Sequence, residues 1–364
     1  MPPPATGTRL VSLDAFRGAT IALMVLVNTP GDWQHVYAPL EHSEWHGWTP
    51  TDVVFPSFLW IAGLSMTLSF AKRLSAGASR ADLFRQAAKR AAILYLLGLF
   101  LYGFPEFDLS TLRLLGVLQR IAICGLAGAA IWLTTGVRGR IAWLVALLAG
   151  YWALMALVPV PGYGAGRLDV EGNLAHYVDR VVLGAHNYAS TKTWDPEGIV
   201  STLPAIGTFI FGMLAGEVMS RGEPLGRRLV RMALIGVVLL AIGLAWNPWL
   251  PINKKLWTST FAVFMAGLDF VLLAGFAWLV DGKGWTKPVR PFVILGMNSI
   301  AIYMASEFLD VILSMLHWRR PIYESVFVPL ASPINASLLY ALAYTGTMFL
   351  IGWVMYRQRW FVRI

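Results

Sequence analysis

Apolar residues in this chain come in long uninterrupted blocks. They show neither the period-two alternation of half-buried strands nor the narrow stripe of a soluble amphipathic helix. Ten blocks stand out, at about 15–29, 53–71, 87–104, 114–134, 141–158, 200–219, 230–247, 259–280, 292–316 and 335–356. Runs of about 18–25 apolar residues suffice to cross a hydrocarbon core of about 30 Å as helices. The pattern predicts an all-α fold: a polytopic membrane bundle of about ten transmembrane helices. The stretches 109–115 and 326–335 approach a helix without forming a clear span. No soluble domain, repeat or low-complexity tract interrupts the series beyond the proline-rich first four residues, so 1–364 reads as one transmembrane domain. Its non-spanning parts are a short tail, 1–12, and one long loop, 159–199.

Composition agrees: 57% of residues are hydrophobic, 13% are charged, and the mean hydropathy is +0.61. The net charge of +9 therefore reads as topology and not as a nucleic-acid surface. With the N-terminus inside, nineteen of the 29 Lys and Arg residues fall on the inner side and seven on the outer side. Arg17, Arg113 and Arg120 lie on or beside helices. The bias predicts ten spans with both termini cytoplasmic. It also places all six histidines on the outer side, with tryptophan-rich loops at 30–52 and 247–258. The first residues lack the basic segment, apolar core and cleavage site of a secretory leader, so none is expected. One cysteine, Cys124, allows no disulfide within the chain.

The densest polar chemistry runs from Ser12 to Pro56. Asp14 and Arg17 are three apart, on one face of the first helix near its inner end. They read either as a helix-start acid with a snorkelling arginine or as an anchor for an anionic ligand. Asn28 ends that helix, as a capping residue or as a polar group offered to a site. His42 follows in EHSEWHGW. Imidazole titrates near neutrality and serves as base, acid or acyl acceptor, although a loop histidine is ordinarily just solvated. His42 and His46 are four apart, but neither HExxH nor a cysteine joins them, so no metal is expected.

Further polar groups recur at the span ends. Gln119 and Arg120 sit together inside an apolar helix, where they are functional or interhelical. Asp195 and Glu197 in DPEG either bond an acceptor's hydroxyls or cap the next span. Asn253, Lys254, Lys255 and Trp257 occupy an outer turn, and two cations there run against the inside bias. Asn298, Ser299, Tyr303, Ser306 and Glu307 lie in the ninth span, several on one face, where a structural hydrogen-bond network competes with a ligand site.

In order, SLDAFRG, VN before an outer loop, H-x-x-W-x-G-x-T-x-x-D-x-V-F-P, GVLQR, DPEG, P-x-N-K-x-L-W and G-x-N-S-x-x-x-Y resemble the catalytic membrane region of heparan-α-glucosaminide N-acetyltransferase and its bacterial relatives. The likeness runs over nearly the whole chain, without the animal enzyme's extra lumenal domain and first span. A minimal ten-span core in a bacterial inner membrane is therefore expected. The resemblance implies acetyl transfer from cytosolic acetyl-CoA, as co-substrate, to an amino sugar or other glycan acceptor across the membrane. It makes His42 the active histidine, on the periplasmic side, and Asn28 its helix-end partner. It also implies a homodimer. His46 stands where the animal enzyme has asparagine, a departure that bears on the acceptor.

On this reading Asp14, Arg17, Gln119, Arg120, Asn298, Ser299, Tyr303 and Glu307 serve the acetyl-CoA path. Trp45, His46, Asp52, Asp195, Glu197, Asn253, Lys254 and Trp257 serve the acceptor, with Trp33, Trp45 and Trp257 as stacking surfaces. His42 either carries the acetyl group or moves the proton. A transporter of N-acetylglucosamine or a related sugar is the competing class, because ten spans with polar intramembrane residues fit it too.

Overall fold

A computed structural model describes residues 10–362. Its regular structure is helical, with no β-strand among the described residues. The helices are α1 (Val11–Asn28), α2 (Val54–Ser75), α3 (Arg80–Gly103), α4 (Val117–Thr134), α5 (Val137–Leu157), α6 (Leu174–Val182), α7 (Thr202–Met219), α8 (Leu225–Trp246), α9 (Ser259–Ala277), α10 (Arg290–Met297), α11 (Ser299–Met315), α12 (Arg319–Ile322) and α13 (Pro333–Arg357). The fold is a polytopic helical membrane bundle.

Eight of these helices are long and apolar enough to cross a membrane, and α10 with α11 makes a ninth if that bent pair is one span. Two departures from the expected ten have physical causes. Helix α3 has the length, but Arg80, Asp82, Arg85, Lys89 and Arg90 crowd its first half and leave only its second half continuously apolar. The expected ninth span is not one rod: the chain bends by 82° at Asn298. There the Asn298 amide donates to Trp360 O (3.0 Å) and accepts from Val362 N (3.0 Å).

That contact also locates the chain ends. Gly296, two residues before Asn298, packs against the Asp14 carbonyl near the start of α1. The two ends of the described chain therefore meet at one face of the bundle.

Helices approach closely where glycines face each other. A Cβ on Gly18 would lie 1.6 Å from Phe292 O, and one on Gly296 would lie 2.0 Å from Asp14 O. In lipid, where burying apolar surface gives helices little reason to associate, such close backbone contact supplies the packing. The same device joins α2 to α7, through Gly63 against Phe209 O and Gly212 against Trp60 O. Buried side chains form two main clusters. One gathers α2, α7 and α9, including Phe55, Met66, Phe209 and Trp257. The other gathers α1, α3, α11 and α13, including Met24, Val54, Leu94, Ala122 and Tyr303. The seam between them holds the cavities described below.

Gly18→Ala should lower the unfolding midpoint in detergent, at a cost of about 1–3 kcal/mol for overpacking against backbone. Gly346→Ala in α13, where nothing lies within 4 Å, should leave the midpoint unchanged or slightly raised. Equal midpoints for the two variants would contradict the Gly18–Gly296 contact as a packing element.

Candidate active site

Thr49-Pro50-Thr51-Asp52 sets the site. Thr49 caps a short 3-10 turn leading into α2, proline occupies its start, and Asp52 reaches back to the cap in a reciprocal box. Asp52 is 1% exposed. Its Oδ2 accepts from Ser43 N (3.1 Å), Thr49 N (3.0 Å) and Thr49 Oγ1 (3.2 Å). Its Oδ1 lies 2.7 Å from His42 Nδ1 and 3.3 Å from Lys254 Nζ. One carboxylate thus closes the 42–52 loop and aims its histidine.

The tautomer follows from these bonds. Lys254 Nζ also lies 3.0 Å from His42 Nδ1. One ring nitrogen cannot donate to Asp52 and accept from Lys254 at once. The shorter contact with the carboxylate makes Nδ1 the donor, pairs Lys254 with Asp52, and leaves Nε2 as an unprotonated base. Partial burial lowers the His42 pKa below its usual 6.5; the Asp52 hydrogen bond and charge pull it up, and Lys254 and Lys255 push it down. The imidazole is therefore neutral at neutral pH.

His42 opens on a cavity of about 540 Å³. Asn28 lines it from the end of α1, Phe55 from α2, Tyr102 from α3, Val117 from α4, Lys254 from the turn before α9, and Tyr303 and Glu307 from α11. Arg113 and Glu197 form one wall. The Arg113 guanidinium grips Asp195 with two bonds of 2.7 Å, bonds Glu197 Oε2 at 2.5 Å, and lies between the rings of Tyr102 (4.7 Å) and Tyr188 (4.4 Å). A bidentate, ring-sandwiched arginine is a rigid element. Asn28 is exposed to this space, and its amide has no hydrogen-bond partner among the described residues. Carboxylates, amide, imidazole and aromatic faces together suit a polyhydroxylated, amine-bearing molecule.

A second cavity of about 550 Å³ lies on the same seam toward the other end of α2, α3 and α4. Arg73, Lys89 and Arg90 make it basic, with Ser65, Ser69 and Gln86 beside them and Met66, Leu94, Ile121 and Phe209 deeper in. Arg17 reaches its wall, donating to Ser65 Oγ (2.7 Å) and pairing with Asp14 (3.2 Å). Cations at the mouth and apolar side chains within suit a polyanion carrying a long thin arm.

A family model described as the catalytic region of heparan-alpha-glucosaminide N-acetyltransferase matches residues 9–243. The chain belongs to this family. Its similarity to the curated heparan-alpha-glucosaminide N-acetyltransferases extends further. The mouse protein is 28% identical over 99% of this chain and 61% of its own length. The human protein is 29% identical over 98% of this chain and 60% of its own length. The chain thus spans about three fifths of the length of these relatives. The region matching the family model carries Asn28, His42, Asp52, Arg113 and Glu197. Lys254, Tyr303 and Glu307 come from beyond it.

Of the residues singled out from sequence, the structure brings Asn28, His42, Asp52, Glu197, Lys254, Trp257, Tyr303 and Glu307 to the His42 cavity. Asp195 lies behind it as the Arg113 anchor. Arg120 lines neither cavity: it donates to Gly198 O and Ser201 Oγ and covers Trp257 at 5.0 Å. Trp45 packs its ring with His176 and Trp194 and donates to Leu168 O, so Trp194, not Trp45, faces the cavity. Trp33 is exposed and apart from the site. His46 contacts the buried Asn253 (3.4 Å), which shapes its own turn by accepting from Leu256 N. Asn298 and Ser299 sit at the α10–α11 break and line neither cavity. Among the described residues no three His, Cys, Asp or Glu side chains gather as metal ligands. The buried His176 stacks on Trp194 and, desolvated, is driven to a pKa of about 4, a neutral packing residue.

Sequence reading missed Arg113, Tyr102, Tyr188 and Trp194. Arg113 had a signal: a lone cation just before GVLQR, awaiting the two acids of DPEG. The aromatic residues had none.

If neutral His42 is the working form, kcat/KM should fall on acidification through an apparent pKa below 6.5. Lys254→Gln removes a charge that disfavours the imidazolium and should move this limb to higher pH. Asp52→Asn removes the opposing hydrogen bond and charge; it should move the limb lower and reduce the rate by about 10²–10⁴-fold. A limb unmoved by both substitutions would contradict the His42–Asp52–Lys254 arrangement.

Proposed function

We propose that the chain is a membrane acetyltransferase that passes an acetyl group from acetyl-CoA, held at the basic cavity, to the amine of a glucosamine-type acceptor in the His42 cavity. The observation that carries this reading is the alignment of a basic cavity and an Asp52-backed imidazole on one helical seam. Family membership supplies the reaction class.

The phosphates of CoA would meet Lys89, Arg90 and Arg73, whose charges attract a polyanion that cannot cross a bilayer cheaply. The pantetheine arm would follow the seam and bring its thioester to His42. Nε2 takes a proton from the acceptor ammonium, and the freed amine attacks the thioester carbon. The oxyanion that develops accepts a hydrogen bond from Asn28, an amide otherwise without a partner. The C–S bond then breaks, and the proton held by His42 passes to the leaving thiolate to give CoA–SH. The freed Nε2 takes the second proton from the new amide nitrogen and passes it to water, so one proton is released per acetyl group transferred. The same neutral Nε2 serves a two-step route through an acetyl-imidazole. Glu197, Glu307 and the rings of Tyr102, Tyr188 and Trp194 would hold the sugar. We place the protein in a bacterial inner membrane with the histidine facing the periplasm, from the inner-side excess of Lys and Arg.

Purified protein given acetyl-labelled acetyl-CoA and glucosamine should yield labelled N-acetylglucosamine. His42→Ala should lose at least about 10²-fold in kcat while still binding CoA. Equal turnover by His42→Ala would refute the assignment. Uptake of N-acetylglucosamine into proteoliposomes without acetyl-CoA would instead establish the transporter class.

A further inference from the structure

Gln119 is 0% exposed, and neither its Oε1 nor its Nε2 has a hydrogen-bond partner among the described residues. A buried amide with four unmet bonding capacities is costly, and natural folds rarely keep one without a use. Its position is specific. The amide lies flat on Gly98 of α3: a Cβ built there would meet Oε1 at 2.3 Å, Cδ at 2.5 Å and Nε2 at 2.8 Å. On α3, Gly98 lies one turn from Leu94, which lines the basic cavity, and one turn from Tyr102, which lines the His42 cavity. On α4, Gln119 falls between Val117, on the His42 side, and Ile121, on the basic side. The unpartnered amide thus stands at the level between two cavities on one seam, over the one α3 position that leaves room for it.

We propose that Gln119 is a donor-positioning residue: it closes the seam while the donor is absent and hydrogen-bonds an amide of the pantetheine arm when CoA is bound. This rests on the assignment of the basic cavity to CoA. The chemistry matches, since each amide of that arm presents one N–H and one C=O, and a glutamine side chain offers the complementary pair. Arg90 and Tyr102 are twelve residues apart on α3, about 18 Å of helix rise, so an arm anchored at the cations passes Gly98 before reaching His42.

The proposal separates from an ordinary packing role by the direction of two effects. Gln119→Leu, or the unbranched isostere Gln119→Met should Leu fold poorly, removes an unmet polar group. The ligand-free variant should melt at the same or a higher temperature than wild type. Its Kd for CoA, measured by titration calorimetry in detergent, should rise about tenfold, the loss of one to two neutral hydrogen bonds. Its affinity for 3′-phosphoadenosine 5′-diphosphate, the nucleotide fragment without the arm, should be unchanged. A lowered melting temperature with equal losses for CoA and fragment would make Gln119 structural and overturn the proposal. Unchanged CoA affinity in a well-folded variant would overturn it too. Failure of wild-type protein to bind CoA at all would instead defeat the donor assignment beneath it.

Discussion

The site depends on the Asp52 carboxylate. It is buried where α2 begins, and every acceptor position that faces protein is used. The backbone bonds from Ser43 and Thr49 fold the loop back onto the helix start. The contact with His42 fixes the imidazole's orientation and tautomer. The pairing with Lys254 ties the loop to the turn before α9, 202 residues further along the chain. A buried carboxylate is costly to desolvate, and only several simultaneous partners offset that cost. Local loop geometry, the state of the base and the docking of a distant turn therefore share one group.

The bundle makes room for that group along a seam. Glycine contacts bring α1 to α10 and α2 to α7 at backbone distance, and two apolar clusters form on either side. Where they meet, packing is incomplete and polar: a basic cavity toward one end and the histidine cavity toward the other. In a membrane protein such residual space is where polar side chains can be kept without facing lipid. The bend at Asn298 belongs to the same design, since a separate α11 presents Tyr303 and Glu307 to the cavity.

Much of this was legible along the chain, and the parts that were not share a cause. Length and apolarity mark the helices. Thr49-Pro50-Thr51-Asp52 carries a local signal for a capped turn, since its capping bonds are all short-range, but the sequence reading places Asp52 only among acceptor residues. His42 stands out because its loop is polar between two apolar blocks. By contrast, the Arg113 clamp joins residues 82 and 84 positions apart, and nothing in a helical period records such a pairing. Asn298 looked like one more polar residue on a ligand-facing helix, yet its partners are the backbone of Trp360 and Val362. Trp45 and Trp194 illustrate the limit for aromatic residues: both sit in loops between helices, and only the folded loop decides which one faces the cavity. For α3, expected at 87–104, charge hid only its first turns, 80–86, where charged residues precede the cavity-lining Lys89 and Arg90.

The central claim is that donor and acceptor meet from opposite ends of one seam. Proteoliposomes with the protein in a single verified orientation, loaded with glucosamine and supplied outside with labelled acetyl-CoA at the basic-cavity face, test it directly. Labelled N-acetylglucosamine should accumulate inside while CoA is released outside and acetyl-CoA itself stays out. Product formed only when donor and acceptor share one compartment would contradict the account.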